Sequence, residues 1–223
     1  MIARDTNLPE LWPLIGTATW ETFYMVAITV AIGGFLGLVV GLALYATRAG
    51  GLFANRVAFT VLNVVVNFFR PIPFVIFIAA VQPFARLVVG IGIGNRAIIF
   101  AMTLAAMFGI ARIVEQNLVT VEPGVIEAAR SMGASRLRIL ATVVVPEALG
   151  PLILGYTFAF VAIVDMSAIA GVIGAGGLGA FAQQYGYRQF DTVVTWTVVL
   201  IIVAFVQVGQ FFGNTLARKV LRR

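Results

Sequence analysis

Polar and charged side chains recur with helical spacing in one otherwise apolar segment of the chain. They follow one another at steps of three, four and three residues, which places them on one face of a helix: Thr60, Asn63, Asn67 and Arg70. Pro71 and Pro73 come next and should break or kink that helix, which would free backbone carbonyls near the charge. The stripe either faces a central cavity or lies at the inner membrane surface with Arg70 near head groups; we favour the cavity.

A second charge, Asp165, lies within another apolar segment, followed by Met166, Ser167 and Ile169. A charge in the hydrocarbon region of a membrane costs about 2.5–3.5 kcal/mol on insertion scales and should therefore have a partner. Arg70, Arg112 or the ammonium group of a passing solute could supply it. We expect Asp165 and Arg70 to place opposite charges beside a path through the protein.

Most catalytic chemistry is excluded by the residue types that the chain lacks. It contains no cysteine and no histidine, so it offers no disulfide, no thiol nucleophile, no imidazole base and no zinc site of the usual kind. No phosphate loop of the form G-x-x-x-x-G-K-[ST] occurs, and the single lysine is Lys219. We expect a protein that is not an enzyme and that binds neither a metal ion nor ATP.

The composition of the 223 residues indicates an integral membrane protein. Apolar residues make up 61% and charged residues 11%, whereas a soluble domain has about 45–50% and about 25%. Five apolar runs have a length that suits membrane spans, and they predict a single all-α transmembrane domain over 1–223, with spans at 20–46, 57–82, 97–119, 148–173 and 192–212.

The positions of the basic residues predict the orientation of these spans. With the amino terminus outside, ten Lys and Arg residues lie in the inner connections and four in the outer ones, and the carboxyl terminus is then inside. Trp12, Trp20 and Trp196 fall near the expected interfaces as aromatic anchors. We therefore expect a multi-pass membrane protein with no nucleic-acid partner.

The inner connection 120–147 is predicted to form a short helix-turn-helix. Pro123 suits a first helical turn, Gly133 a helix end and Ser135 the cap of a second segment, and Pro146 opens the fourth span. Its small residues would allow close backbone approach to a partner, while Glu127 adds a directed charge. An ordinary amphipathic loop helix is the alternative.

This connection resembles the E-A-A-x-x-x-G-x9-I-x-L-P loop of bacterial ABC-importer permeases. Glu127-Ala128-Ala129 is followed after three residues by Gly133 and after nine more by Val143-x-Val145-Pro146, where valines replace Ile and Leu. Further segments extend the similarity to permeases of the methionine type: Asn67-Phe68-Phe69-Arg70-Pro71-Ile72-Pro73, Ile110-Ala111-Arg112-x-Val114-Glu115, Gly174-Ala175-Gly176-Gly177-Leu178-Gly179 and Tyr185-Gly186-Tyr187. The residues that the resemblance implies for coupling to the ATPase are Glu127, Ala128, Ala129, Arg130, Met132, Gly133 and Pro146.

The resemblance also implies a location in the bacterial inner membrane, the partners and the transport cycle. Two copies would pair, bind two ATPase subunits that hold ATP and Mg²⁺ on the inner side, and accept methionine, as one or both enantiomers, from an extracytoplasmic binding protein. Alternating access would follow from movements of the coupling loop. The segment 164–169 would border the path, although Asp165 is not itself part of the family's motif. The other path candidates are Asn63, Asn67 and Arg70.

The glycine-rich segment after the fourth span matches G-x-G-x-x-G, but it follows a membrane helix and not a strand, so a dinucleotide site is not expected. It should form a compact cap at the outer mouth, either bordering the gate and contacting the binding protein or serving as a plain turn. The candidates for these contacts are Gly174, Gly176, Gly177, Gly179, Tyr185 and Tyr187.

Two other functions are weighed against the importer permease. A secondary transporter driven by an ion gradient would account for Arg70 and Asp165, but it leaves the loop spacing unexplained, and no internal repeat is evident. A membrane enzyme would need a catalytic cluster that the chain does not contain.

Overall fold

The computed structural model describes residues 8–221, which form helices and no strand. The helices follow the chain in this order: α1 (Leu8–Thr47), α2 (Arg56–Phe69), α3 (Phe74–Val89), α4 (Asn95–Val119), α5 (Pro123–Ser131), α6 (Arg136–Ile139), α7 (Leu149–Val172), α8 (Gly177–Phe181) and α9 (Thr192–Leu221). Three π-helical turns are present in this part of the chain: Thr29–Gly33 within α1, Leu140–Val144 after α6 and Ala182–Tyr187 after α8. The prediction of an all-α protein is confirmed.

Four helices, α1, α4, α7 and α9, are each long and apolar enough to cross a membrane. The helices α2 and α3 meet this requirement only as a bent pair, which would make a fifth span. The predicted span 57–82 is therefore not one continuous helix. Its break lies between Phe69 and Phe74, because Pro71 and Pro73 lack the backbone N–H groups that would continue the helical hydrogen bonds.

Two helices are longer than the spans predicted for them. The helix α1 begins at Leu8, well before the first predicted span at residue 20, and α9 continues to Leu221 beyond residue 212. Predicted spans end where the apolar run ends, whereas a helix can continue through polar residues as long as its hydrogen bonds are satisfied. Pro9 lies in the first turn of α1, where a missing N–H is tolerated best, whereas Pro13 lies inside the helix.

The chain divides into two compact units. The first contains residues 8–32, together with Ile72–Leu104 and Phe160–Gly209, and the second contains Gly33–Pro71, Ala105–Ala159 and residues 210–221. A buried cluster from α1, α8 and α9 forms a core of the first unit: Ile15, Ala18, Leu178, Phe181, Val194 and Val198. This core holds the glycine-rich segment against the first part of α1.

In the second unit, α1 packs closely on α4 through two glycines. A Cβ atom on Gly37 would come within 2.7 Å of Ile110, and one on Gly41 within 2.6 Å of the carbonyl oxygen of Ala111. Such contacts are closer than any side chain permits, so only glycine fits at these positions. The two glycines are four residues apart, the spacing of small residues that lets membrane helices approach closely.

Candidate functional site

The short helix α5 has clear start and stop signals. Pro123 occupies its first turn, and the helix ends in a Schellman motif, in which the N–H of Ala134 donates to the carbonyl of Ala129 at 3.2 Å and the N–H of Gly133 to that of Arg130 at 2.9 Å. Gly133 has a φ of +77°, in the left-handed region that favours glycine. The predicted helix over this segment and its end at Gly133 are confirmed.

The second segment of the loop begins at the predicted cap. The hydroxyl oxygen of Ser135 accepts a hydrogen bond from the N–H of Arg138 at 3.4 Å, and α6 follows. The chain continues through the π-helical turn Leu140–Val144 and the short helical segment Val145–Glu147, which contains Pro146, before α7 begins. The loop is therefore a helix-turn-helix throughout, as the sequence predicts.

Most of the predicted coupling residues are exposed on α5. Ala129 is 4% exposed and packs against the rest of the second unit, whereas Glu127, Ala128 and Arg130 are exposed. Met132, at the end of the helix, is 81% exposed. The helix thus presents small and charged side chains to its surroundings on a backbone that is fixed at both ends, an arrangement that suits docking of a partner protein.

A polar network in the second unit joins α2 to α4. The guanidinium of Arg112 donates to the carboxylate of Glu115 at 2.5 Å, to the amide oxygen of Asn63 at 2.8 Å and to that of Asn67 at 2.5 Å. Asn67 also donates to Asn63 at 3.0 Å. Asn63 and Asn67, two of the four residues in the predicted polar stripe on α2, therefore bind the same arginine that pairs with Glu115.

Removal of Arg112 should destabilise the protein strongly. Its side chain is 16% exposed and that of Glu115 is 9% exposed, so Arg112→Met would leave a mostly buried carboxylate unpaired, at a cost of about 3–5 kcal/mol. The double variant Arg112→Met/Glu115→Gln removes that charge and should recover much of the loss. Thermal unfolding of the purified protein in detergent measures both, and equal stability of the single and double variants would contradict this account.

Arg70 lies outside this network, at the carboxyl end of α2. Its side chain is exposed, and its backbone N–H donates to the carbonyl of Val66 at 3.1 Å. At about 1.5 Å per residue, α2 extends roughly 21 Å, which is less than the roughly 30 Å of a bilayer's hydrocarbon core. The helix α2 alone is therefore too short to span a membrane.

The other predicted path residues lie on α7. Asp165 is exposed, Met166 and Ile169 are half-buried, and Ser167 is 1% exposed with its hydroxyl donating to the carbonyl of Val164 at 2.6 Å. The hydroxyl of Ser167 therefore already has a hydrogen-bond partner within α7. Asp165 belongs to the first unit and Arg70 to the second, so their pairing stays a prediction.

The glycine-rich segment is a turn that side chains of α1 and α4 hold in place. Consecutive backbone N–H groups donate to the amide oxygen of Asn95 at 3.0 Å, to the carboxylate of Glu21 at 2.6 Å and to the hydroxyl of Thr22 at 2.9 Å; the donors are Gly176, Gly177 and Leu178. Since these donors are occupied, the turn is not arranged to bind a dinucleotide phosphate. Within residues 8–221 no cluster of acidic side chains could hold a metal ion.

The three residues that hold this turn were not found by sequence reasoning. Glu21 and Thr22 lie at the start of the first predicted span, and Asn95 lies just before the third. The only sign of their role in the sequence is that they are polar residues directly beside an apolar run. The sequence does not show their hydrogen-bond partners, which lie 156 positions away for Glu21 and Thr22. The two tyrosines predicted to contact the gate or the binding protein differ in exposure. Tyr185 is half-buried against Phe181, and Tyr187 is 77% exposed.

Comparison with known proteins gives matches over nearly the whole chain. Residues 33–222 match the family model described as "Binding-protein-dependent transport system inner membrane component". The probable D-methionine transport system permease protein MetI of Vibrio cholerae is 40% identical over 210 residues, 94% of this chain and 93% of that protein. The methionine import system permease protein MetP of Bacillus subtilis is 37% identical over 219 residues, 98% of this chain and 97% of that protein.

The fold also matches that of solved transporters. A structure of the MetNI methionine ABC transporter in inward-facing conformations superposes with a TM-score of 0.91 and 39% sequence identity, over 96% of this chain and 99% of that chain. These matches confirm the prediction of a transport permease and favour it over a secondary transporter or an enzyme. The chain belongs to the family of inner membrane components of binding-protein-dependent transport systems.

Proposed function

We propose that the chain forms, as a homodimer, the membrane pathway of an ATP-driven importer of methionine. The observation that carries this proposal is the exposed helix α5 with its Glu127-Ala128-Ala129 surface and its glycine-fixed end, in a chain that resembles methionine permeases over nearly its full length. The cargo is taken from the relatives, since MetI and MetP are named for methionine transport. In this scheme the chain is a multi-pass protein of the inner membrane.

The energy for transport comes from a partner. Two ATPase subunits on the inner side bind ATP and Mg²⁺, and each holds one α5 helix, with Glu127 setting the register and the small side chains allowing close approach. Closure of the ATPase subunits moves α5, and the membrane helices then exchange an inward opening for an outward one. Arg130, Met132, Gly133 and Pro146 belong to the same coupling segment.

The path and the outer gate are assigned to two groups of residues. The polar face of α2 with Asn63, Asn67 and Arg70, and the segment of α7 from Asp165 to Ile169, border the path. The glycine-rich turn and the exposed Tyr187 border the outer gate and contact an extracytoplasmic binding protein that delivers the cargo. The carboxylate of Glu21 fixes this turn, which keeps the contact surface rigid.

Reconstituted transport tests the proposal directly. The chain is co-expressed with its ATPase, inserted into vesicles and supplied with the binding protein and labelled L- or D-methionine. We expect uptake that requires both ATP and the binding protein and that excess unlabelled methionine abolishes. Co-purification of the ATPase through a tag on this chain is the accompanying measurement.

The same vesicles separate the alternative function. Uptake by the chain alone, driven by a proton or sodium gradient without ATP, would refute the proposal and establish a secondary transporter. ATP-dependent uptake of another solute, with no uptake of methionine, would support an importer with a different cargo. A permease of this kind receives its specificity largely from the binding protein.

A further inference from the structure

The turn between the π-helical segment Ala182–Tyr187 and α9 contains a strained residue. Phe190 has a φ of +55°, and every other residue with a positive φ in the described part of the chain is a glycine. A bulky L-residue in this left-handed region is a backbone outlier, because its Cβ atom lies too close to the following carbonyl oxygen. The side chain is 80% exposed, so packing does not account for the conformation. Strained residues of this kind cluster at functional sites.

Hydrogen bonds on both sides fix the backbone of this turn. The N–H of Phe190 donates to the carbonyl of Tyr187 at 3.2 Å, and the N–H of Asp191 donates to that of Gly186 at 2.9 Å. The carboxylate of Asp191 also accepts a hydrogen bond from the N–H of Val194 at 3.0 Å, which caps the start of α9. The backbone position of Phe190 is therefore fixed by its neighbours, although its side chain is exposed.

Three exposed side chains project from the turn, and together they form what we call the outer patch: Tyr187, Arg188 and Phe190. Tyrosine and arginine are enriched among the residues that carry most of the binding energy of protein–protein interfaces, and a phenyl ring buries a large apolar area. A side chain on a fixed backbone also loses less conformational freedom on binding than a mobile one. The outer patch therefore has the composition and the rigidity of a protein-docking site.

The position of the outer patch favours a protein partner over the membrane. The helix α9 begins at Thr192, and Trp196, which is 61% exposed, lies roughly 6 Å further along its axis. In the proposed orientation α9 begins on the outer side, and Trp196 is the aromatic anchor at the membrane interface. The outer patch precedes α9 and lies farther out than this anchor. A lipid surface accepts aromatic side chains in many orientations, whereas a pocket on a protein requires the defined position that the strain at Phe190 maintains.

We infer that Phe190 and Arg188 anchor the extracytoplasmic binding protein on this chain. Phe190 fills an apolar pocket on that protein, and Arg188 pairs with a carboxylate beside the pocket. The family of this chain is described as binding-protein-dependent, which indicates the class of partner. The inference rests on the proposed function, in which the glycine-rich turn and Tyr187 contact the binding protein, and it adds the two anchors and the strain that positions one of them.

The affinity of the binding protein for the assembled transporter tests this inference. The transporter is inserted into lipid nanodiscs, and the binding protein is titrated in with a non-hydrolysable ATP analogue present. Phe190→Ala should weaken binding at least about tenfold, since truncation of an interface anchor has an effect of that size. Phe211→Ala is the matched control, because Phe211 is 63% exposed toward the inner end of α9, and it should bind normally.

A second substitution at the same position separates strain from contact. Phe190→Gly removes the side chain and also the left-handed strain, so it should weaken binding as Phe190→Ala does while raising the unfolding temperature by about 2–4 °C. Phe190→Ala keeps the strain and should unfold at nearly the temperature of the unaltered protein. A residue with only a structural role would not show weaker binding together with higher stability.

Variants of Arg188 test the second anchor. Arg188→Gln should weaken binding and make it less sensitive to salt, while Arg188→Lys should retain part of the affinity. In transport vesicles, Arg188→Gln and Phe190→Ala should raise the concentration of binding protein that gives half-maximal uptake. The rate at saturating binding protein should stay unchanged, because neither side chain takes part in a step after docking.

Two results would overturn the inference. The first is equal binding of the binding protein by Phe190→Ala, Arg188→Gln and Phe211→Ala. The second comes from a nitroxide attached to Phe190→Cys, which would be the single thiol of this chain. Stronger relaxation of the nitroxide by oxygen, which concentrates in lipid, than by a water-soluble nickel complex would place the outer patch in the membrane.

These outcomes can be distinguished from failure of the proposed function. Weaker docking by Phe190→Ala in a transporter that imports another solute would refute the proposed cargo and retain the anchors. Methionine uptake that requires the binding protein but is unaffected by Phe190→Ala and Arg188→Gln at every concentration of binding protein would retain the proposed function and refute the anchors.

Discussion

Replacing Gly133 with valine should reduce ATP-dependent uptake about 5- to 30-fold while the protein still inserts and folds. An L-residue in the left-handed conformation costs roughly 1–2 kcal/mol, which corresponds to that range in population. A Cβ atom at Gly133 would meet no other atom within 4 Å, so the cost is confined to the backbone at the end of α5. Only the docking conformation of the helix is disfavoured.

A graded series and a control make this prediction specific to the helix end. Gly133→Asn should lose the least ATP-dependent uptake, because asparagine tolerates the left-handed conformation, and Gly133→Val should lose the most. Gly124→Ala alters the same helix at an exposed glycine that also has open space around it and no left-handed backbone, and it should transport normally. Uptake in vesicles and the amount of inserted protein are measured together; full uptake by Gly133→Val would exclude a coupling role for this turn.

Replacing Gly179 with alanine should destabilise the first unit strongly. A Cβ atom there would overlap the backbone of Ala168 in α7, and one at the nearby Gly171 would approach the backbone nitrogen of Ala180 to 2.5 Å. Overpacking of a core typically costs about 1–3 kcal/mol, and a backbone neighbour cannot move aside as a side chain can. We expect little protein in the membrane and a lower unfolding temperature for what remains.

Gly109→Ala is the control for that variant. Gly109 lies within α4, and its Cβ atom would contact nothing within 4 Å, so alanine should stabilise the helix by about 0.5–1 kcal/mol. The two substitutions add the same methyl group and should shift the unfolding temperature in opposite directions. Membrane yield and thermal unfolding in detergent measure both effects. If Gly179→Ala leaves the yield and the unfolding temperature unchanged, α7 and α8 are not in backbone contact.

Features that depend on neighbouring residues could be predicted from the sequence. The helix α5, its end at Gly133 and the cap at Ser135 follow from local hydrogen bonds and backbone preferences, and the structure has them where the sequence placed them. The pair of Arg112 and Glu115 is one helical turn apart on α4, a spacing at which opposite charges can be expected to meet.

Features that join distant parts of the chain could not be predicted in this way. Asn63 and Asn67 were recognised as a polar stripe, but their contact with Arg112, at least 45 positions away, depends on how α2 and α4 pack. The carboxylate of Glu21 reaches Gly177 only because α8 folds back on α1. A single sequence contains no measure of such proximity, so residues of this kind look like ordinary polar residues at the end of a span.

The exposed tip of α5 has a practical consequence. Because the 223-residue chain has no cysteine and Met132 is 81% exposed, Met132→Cys would introduce a single accessible thiol directly before the turn at Gly133. A spin label or fluorophore attached there would report the movement of this one helix during turnover, without any other sulfhydryl in the chain to remove first.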